Sequence, residues 1–203
     1  MGFYSKLFLP RFIDLAMRNR EMTRLRGEWV SRARGDVLEI GIGSGLNVDF
    51  YSSDVHRVCG VDPSAELQHM ARKRYAGSPL SVEFLLQSAE TLPLPEKSID
   101  TVVMTWTLCS IPDPLKTLAQ MRRVLKPNGK LIFIEHGRSP DSAVAAWQDR
   151  LNPFWKRVAG GCNWNRKIDG LLDVAGFQIE DLKTSYLPGP RLITYTYQGL
   201  AHV

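Results

Sequence analysis

Gly41, Gly43 and Gly45 stand at alternate positions directly after the apolar run Asp36–Ile40, with Glu39 just ahead of them. Glycines at such a point let a ligand touch bare backbone and permit dihedrals closed to other residues. The plain alternative is a tight turn from strand to helix. A dinucleotide fingerprint G-x-G-x-x-G needs its third glycine at position 46, where Leu46 stands. The phosphate-loop signature fails too, because no Gly-Lys-Ser/Thr follows. No Lys or Arg lies between Asp36 and His56, and Glu39 would repel a pyrophosphate. The loop suits a ligand that carries positive charge, which disfavours a nicotinamide oxidoreductase.

Asp62 closes the next apolar run, "RVCGVD", 21 residues beyond Gly41. An acid there accepts both ribose hydroxyls of an adenosine. Its other reading is a helix N-cap, since Pro63 follows. Loop and acid together point to S-adenosylmethionine, which has an ammonium, a sulfonium and no phosphate. His136 follows Glu135 at the end of another apolar run and is the general-base candidate; tying down a loop is its alternative role. Cys109 falls just past the end of the run Ile99–Thr105, although a single cysteine reads first as core. Trp147, Trp155 and Trp164 occupy the segment that should cover an acceptor, as pocket lining or as packing of the cap. Asn152, Asn163 and Arg166 are polar candidates in the same cap.

These residues need a frame at strand ends. The expected strands are Asp36–Ile40, Arg57–Val61, Ser81–Leu86, Ile99–Thr105 and Lys130–Glu135. The expected helices are Asn47–Ser52, Ala65–Tyr75 and Leu115–Leu125. Strand and helix alternate, which predicts a parallel sheet covered by helices. Asp141 to Ala159 reads as helical but broken near Pro153. Arg166 to Ala175 is a further helix, stopped by Gly176. Phe177–Thr184 and Arg191–Gly199 read as a strand pair joined through "LPGP". Before Gly35, Met1 to Leu9 and Arg11 to Arg34 read as helical.

A chain of 203 residues, 44% hydrophobic and 23% charged, suffices for one folded domain. The expected organisation is one domain over 1–203: an arm or lid over 1–34, and a core over 35–203 with a helical cap around 140–165. The net charge is +5, and residues 1–35 carry all of it, with eight Lys and Arg against three acids. A nucleic-acid face is not expected, since these cations sit on an apolar-striped arm. Cys59, Cys109 and Cys162 lack CxxC or Cys/His spacing, which predicts a reducing, cytoplasmic setting and no metal. No apolar run approaches the ~18 residues of a membrane span. Lys6, Arg11 and Asp14 interrupt the N-terminus, so a secretory signal is not expected.

Four stretches occur in a telling order: Glu39-x-Gly41-x-Gly43-x-Gly45, "GVDPS", "SAETLPLPEKSIDTVV" and "RRVLKPNGKLIFIEH". Over about residues 36 to 136 they resemble the motifs of class I S-adenosylmethionine-dependent methyltransferases. The resemblance implies an α/β, Rossmann-like seven-stranded sheet of order 3-2-1-4-5-7-6 with strand 7 antiparallel. It places cofactor contacts at Glu39, Gly41, Ile42, Gly43, Gly45, Asp62, Pro63, Ser88, Ala89, Glu90, Thr105 and Leu108. Many relatives carry Asp where Ser88 stands, so the adenine contact falls to Ser88, Glu90 or a backbone group. "TLCSIPDP", "IEHGRSPD", "WQDRLNPFWKRVAGGCNWNR" and "LPGPR" further resemble the small membrane-associated thiol methyltransferases. Phospholipid and quinone methyltransferases share several of these pieces.

The implied activity is methyl transfer from S-adenosylmethionine to a small lipophilic acceptor, a thiol first. A phospholipid or quinone acceptor, or cofactor binding without catalysis, is the alternative. The sulfonium methyl is already activated, so the protein need only exclude water and align the acceptor. "TWTLCS" after the fourth strand is apolar, unlike the Asn-Pro-Pro-Tyr-type signature of base-methylating enzymes, and fits a lipophilic acceptor. In the arm, Phe3, Tyr4, Leu7 and Phe8, then Phe12, Leu15 and Ala16, recur at helical spacing among arginines. Three readings stand: peripheral membrane contact through 1–30, a lid reaching the site with Tyr4 or Arg11, or packing on the sheet.

Overall fold

The computed structural model describes residues 9–203. The expected helix Met1–Leu9, with Phe3, Tyr4, Leu7 and Phe8, lies outside the described residues apart from its last position.

Among the described residues of the arm, two helices stand where Arg11 to Arg34 was expected to form one. α1 spans Leu9–Ala16 and α2 spans Arg20–Trp29, followed by a 3₁₀ turn at Val30–Arg32. Asn19 divides them: its backbone is extended and its side chain accepts from the Met22 amide at 3.0 Å. A capping Asn starts a helix rather than continuing one.

The core elements follow in alternation. They are β1 Gly35–Ile40, β2 Val55–Val61, α3 Ala65–Tyr75, β3 Ser81–Leu85, β4 Ile99–Thr105, α4 Pro114–Val124 and β5 Leu125–His136. Then come α5 Ser142–Val158, α6 Ile168–Val174, β6 Gln178–Tyr186, α7 Arg191–Thr194 and β7 Tyr195–His202. The sheet order is β3-β2-β1-β4-β5-β7-β6, with β7 antiparallel to both β5 and β6. This is the expected class I arrangement.

Three local expectations are corrected. Asn47–Ser52 is not a helix; only a 3₁₀ turn forms at Val48–Phe50. Asn47 and Tyr51 both bond Glu39, and those bonds hold the backbone away from a regular helix. Pro153 does not break α5, which continues to Val158. Pro153 and Asp149 are exposed, so water satisfies the Asp149 carbonyl that the ring leaves without an amide. Arg191–Thr194 is a short helix, and β7 starts only at Tyr195.

Central strands buried on both faces read as continuous apolar runs because helices cover each side. On one face, Leu38, Ile40, Val102, Met104, Leu131 and Phe133 pack with Leu118 and Met121 of α4 and Leu172 of α6. On the other, Val37, Val58, Val103, Ile132 and Ile134 pack with Leu25 and Trp29 of α2 and with Val30. The Trp29 indole donates to Gln198 Oε1 at 2.9 Å, which pins α2 to β7. Among the described residues no helix is long and apolar enough to cross a membrane.

Candidate active site

A cavity of about 630 Å³ opens at the carboxyl ends of β1, β2 and β4. That is where ligands bind in open α/β sheets, and its size falls within the ordinary range for ligand pockets. Gly41, Ile42, Gly43 and Ser44 form one wall, Asp62 and Pro63 a second, Ser88 and Ala89 a third, and Thr105 a fourth.

The three glycines have three different jobs. All have positive φ. At Gly41 a Cβ would collide with the Thr107 side chain. At Gly45 it would press on Ala71 and Tyr75 of α3, so this glycine serves helix packing and does not line the cavity. At Gly43 a Cβ would meet only the Gly41 carbonyl at 3.7 Å, so the space above it is left for a ligand.

Asp62 is buried just past β2. Its Oδ2 accepts from the Gly43 amide at 3.0 Å and its Oδ1 from the Ser64 amide at 2.8 Å. The cap of α3 is Ser64, which accepts from Leu67, so Asp62 is free of the capping role. Burial raises its pKa while the two amides oppose that rise. Each carboxylate oxygen keeps a second lone pair for a hydroxyl.

Glu39 is fully engaged. Oε1 accepts from Asn47 at 2.8 Å, and Oε2 from Tyr51 at 2.8 Å and Tyr75 at 3.2 Å. Burial pushes its pKa up to about 7 against those bonds and the nearby Arg26. Asn47 also accepts from Arg26 Nε at 3.1 Å and donates to Thr105 at 3.2 Å, so one network ties β1, β4 and the arm. Arg26 is buried, with its pKa lowered to about 10 by desolvation.

The arm closes the cavity. Pro10, Ile13, Asp14 and Met17 line it; Arg11 does not. Asp14 accepts from Ser44 Oγ at 2.5 Å, from Arg74 at 3.0 Å and from Arg18. Burial works against the Asp14 carboxylate, but the Ser44 and Arg74 bonds hold its pKa below the usual range. Phe12, Leu15 and Ala16 face outward, Phe12 at 67% and Leu15 at 71% exposure, so α1 does not pack this stripe on the sheet. Asp14 and Ser44 were not singled out in the sequence, where Asp14 was only one charge among many.

The end of the cavity at the turn after β4 is mostly apolar, with Trp106, Ile111, Pro112 and Gly160 beside the hydroxyl residues Thr107 and Ser110. Trp106 has φ +50, rare for an aromatic, and Arg26 sits 4.8 Å from its ring. The expected aromatics are elsewhere: Trp155 and Trp164 stack at 4.5 Å, Trp147 is exposed, and none of the three lines the cavity. Glu90 turns away to accept from the Asp113 amide at 2.8 Å, and Leu108 is buried behind the wall. Arg166 donates to the Leu108 carbonyl, and Asn163 to the Cys109 carbonyl at 3.0 Å.

His136 does not line the cavity. Its Nε2 lies 3.0 Å from Cys162 Sγ, and Cys109 joins the same group. Its neighbour Glu135 is buried, with Oε1 accepting from Thr107 at 2.7 Å and Leu108 at 2.9 Å while Oε2 has no partner. Burial raises the Glu135 pKa to about 7.

Among the described residues, the cavity walls carry Asp14, Glu39, Asp62 and Glu66 against the one cation Arg26. Such a lining favours a cationic ligand over a pyrophosphate. With the open space over Gly43 and the free lone pairs of Asp62, the residues fit S-adenosylmethionine.

A family described as "Methyltransferase domain" matches residues 38–133. Thiol S-methyltransferase TMT1B of Rattus norvegicus is 35% identical over 158 residues, covering 76% of this chain and 64% of that protein. The Homo sapiens TMT1B is 32% identical over 184 residues, covering 85% of this chain and 74% of that protein. The chain thus spans about two-thirds to three-quarters of the length of these relatives. Among solved structures, the YcgJ protein of Bacillus subtilis superposes with a TM-score of 0.72 at 16% identity, covering 91% of this chain and 98% of that one.

Proposed function

The chain belongs to the S-adenosylmethionine-dependent methyltransferases, and from that premise we propose that it methylates the sulfur of a small lipophilic thiol. The observation that carries this reading is the polarity of the cavity, acidic and hydrogen-bonding at the glycine-loop end, mostly apolar at the Trp106, Ile111 and Pro112 end.

S-adenosylmethionine supplies an already activated methyl group when bound. Asp62 would accept from its ribose hydroxyls, the Gly41–Ser44 backbone would lie along it, and Ser88 and Ala89 would flank its adenine. Glu39, itself in the wall, would also fix Asn47 and Tyr51 under the loop. α1 excludes water: Ile13 and Met17 roof the cavity, and Asp14 fastens that roof to Ser44. The apolar end desolvates the acceptor and holds it close to its attack geometry. A thiol suits this end because a fraction of it ionises near neutral pH.

Incubating the purified chain with tritiated methyl donor and a panel of alkyl and aryl thiols, phosphatidylethanolamine and a quinol tests the proposal. Label should pass to thiols as thioether. Label passing only to the lipid or the quinol, or to nothing, overturns it.

Peripheral membrane contact through the arm is supported by the outward Phe12 and Leu15. Co-sedimentation with anionic vesicles should occur and should drop for Phe12→Ser with Leu15→Ser; the absence of binding at low salt removes this role.

A further inference from the structure

Cys109, His136 and Cys162 come from three separate segments: the turn after β4, the end of β5, and the loop after α5. Their donor atoms all lie within 4.8 Å of one another. His136 Nε2 is 3.0 Å from Cys162 Sγ, and its Nδ1 faces the Ile193 carbonyl at 3.4 Å. An Nδ1–H held toward a carbonyl leaves the Nε2 lone pair free, as metal-binding histidines arrange it. The Cys162 thiol proton then lies between sulfur and nitrogen, in the place a cation would take.

Tetrahedral bonds of about 2.3 Å to sulfur and 2.0 Å to nitrogen put such ligands about 3.5–3.8 Å apart. Movements under about an ångström bring the three atoms to that spacing. Two thiolates would neutralise a divalent charge, which suits a buried position. The loops are already bound together: the Asn163 amide donates to the Cys109 carbonyl at 2.8 Å, and Asn163 Nδ2 to the same oxygen. The group also adjoins the cavity. Cys109 Sγ is 3.5 Å from Ser110 Oγ, and Ser110 and Gly160 are both wall residues. Among the described residues the cavity wall contains no histidine; its acids Asp14 and Glu39 are occupied, and its other two, Asp62 and Glu66, stand past β2 and at the start of α3.

We propose that Cys109, His136 and Cys162 are a three-ligand site for a soft divalent cation of the zinc class, whose fourth position takes the acceptor sulfur. The second half rests on the thiol reading above; the first does not. When the acceptor binds, its S–H bond breaks, the proton leaves to solvent, and a sulfur–metal bond forms. No electron changes hands. The sulfur is then held as a thiolate at neutral pH, as three-ligand zinc sites hold a water-derived ligand.

Cobalt(II) titration of the full chain, reduced with a phosphine and cleared of metal, tests this. About one equivalent should bind, with thiolate-to-cobalt charge transfer and the strong visible bands of a tetrahedral site, and zinc should displace it, because thiolate ligands select zinc. Cys109→Ser and Cys162→Ser should each weaken binding at least ~10-fold and reduce the charge-transfer band. Cys59→Ser, in β2, should change neither. Thermal melting of each variant without metal separates misfolding from ligand loss. Adding benzyl mercaptan to the cobalt form should shift the bands whether or not methyl transfer is ever detected. Weak octahedral cobalt, an undiminished signal in the serine variants, or a Cys109–Cys162 disulfide with no metal uptake by the reduced chain overturns the site. Unmoved bands on adding thiol overturn the fourth-position assignment.

Discussion

The loops after β1 and β4 each hang from a buried glutamate, yet the two anchors differ. Glu39 is saturated by three side chains, Asn47, Tyr51 and Tyr75, which belong to the glycine loop's own turn and to α3. Glu135 gives one oxygen to two backbone amides of the turn at Thr107 and Leu108 and leaves the other without a partner. The donor side of the cavity is thus locked by side chains that bond both oxygens of its anchor. On the acceptor side Glu135 grips backbone amides instead, beside the Cys109 and Cys162 thiols. A fixed cofactor bed and a less committed acceptor wall is a sensible division for a transferase, because one ligand is constant and the other varies.

The severest way to break this comparison is to remove Glu39. Glu39→Ala leaves two tyrosine hydroxyls and an amide unpaired in the interior and should cost on the order of 3–5 kcal/mol, read by urea denaturation. A loss below about 1 kcal/mol would mean that the network is not an anchor.

The pH dependence sharpens the same contrast. Both carboxyls have folded pKa values near 7 because of burial. Between about pH 4.5 and 7 the folded chain therefore keeps protons that the unfolded chain has released, and stability falls as pH rises through that window. Each carboxyl contributes on the order of 3 kcal/mol to that fall. Glu135→Gln should flatten the curve and stabilise the chain at pH 8, since its amide oxygen still accepts from Thr107 and Leu108. Glu39→Gln should gain less, because the tyrosine hydroxyls must turn to accept. Equal gains would erase the distinction between the anchors.

Smaller effects are expected at the ligand itself. Asp62→Ala should weaken S-adenosylmethionine by about 1.5–3 kcal/mol in calorimetry, as expected for lost hydrogen bonds to a charged group. Unchanged affinity would reduce Asp62 to a brace between Gly43 and Ser64. Asp14→Asn keeps a partner for Ser44 but drops the charge facing Arg74, and should cost about 1 kcal/mol in affinity through a looser roof.

Much of the frame was legible because alternating apolar runs and helical periods are local signals. The order of the sheet came from the motif resemblance. Gly43 and Asp62 could be read from spacing, since the strand-to-loop transition fixes where they must sit. The Cys109, His136 and Cys162 group could not, because its members come from elements that meet only after the sheet forms, and the missing Cys/His spacing pointed away from any metal. Asp14 was hidden for the same reason: nothing local marks a carboxylate whose partners, Ser44 and Arg74, lie beyond β1. Asn47 misled because its bond to Glu39 outweighed its place in a helical stretch. Trp106 was passed over for three tryptophans in the cap, since a positive φ leaves no trace in composition.

The division of the arm at Met17–Asn19 has a temporal consequence. α2 is anchored by Trp29, while α1 is fastened over the cavity through Asp14. A swing of α1 about that joint would uncover the part of the cavity beneath Ile13 and Met17. Movement of α1 is then a step that could gate release of spent cofactor, as closing segments do in many enzymes. An apolar surface that captures Phe12 and Leu15 would pull on the outer side of the same helix and shorten the residence time. The cycle would run faster beside a lipid layer than in free solution, with no change in the chemistry inside.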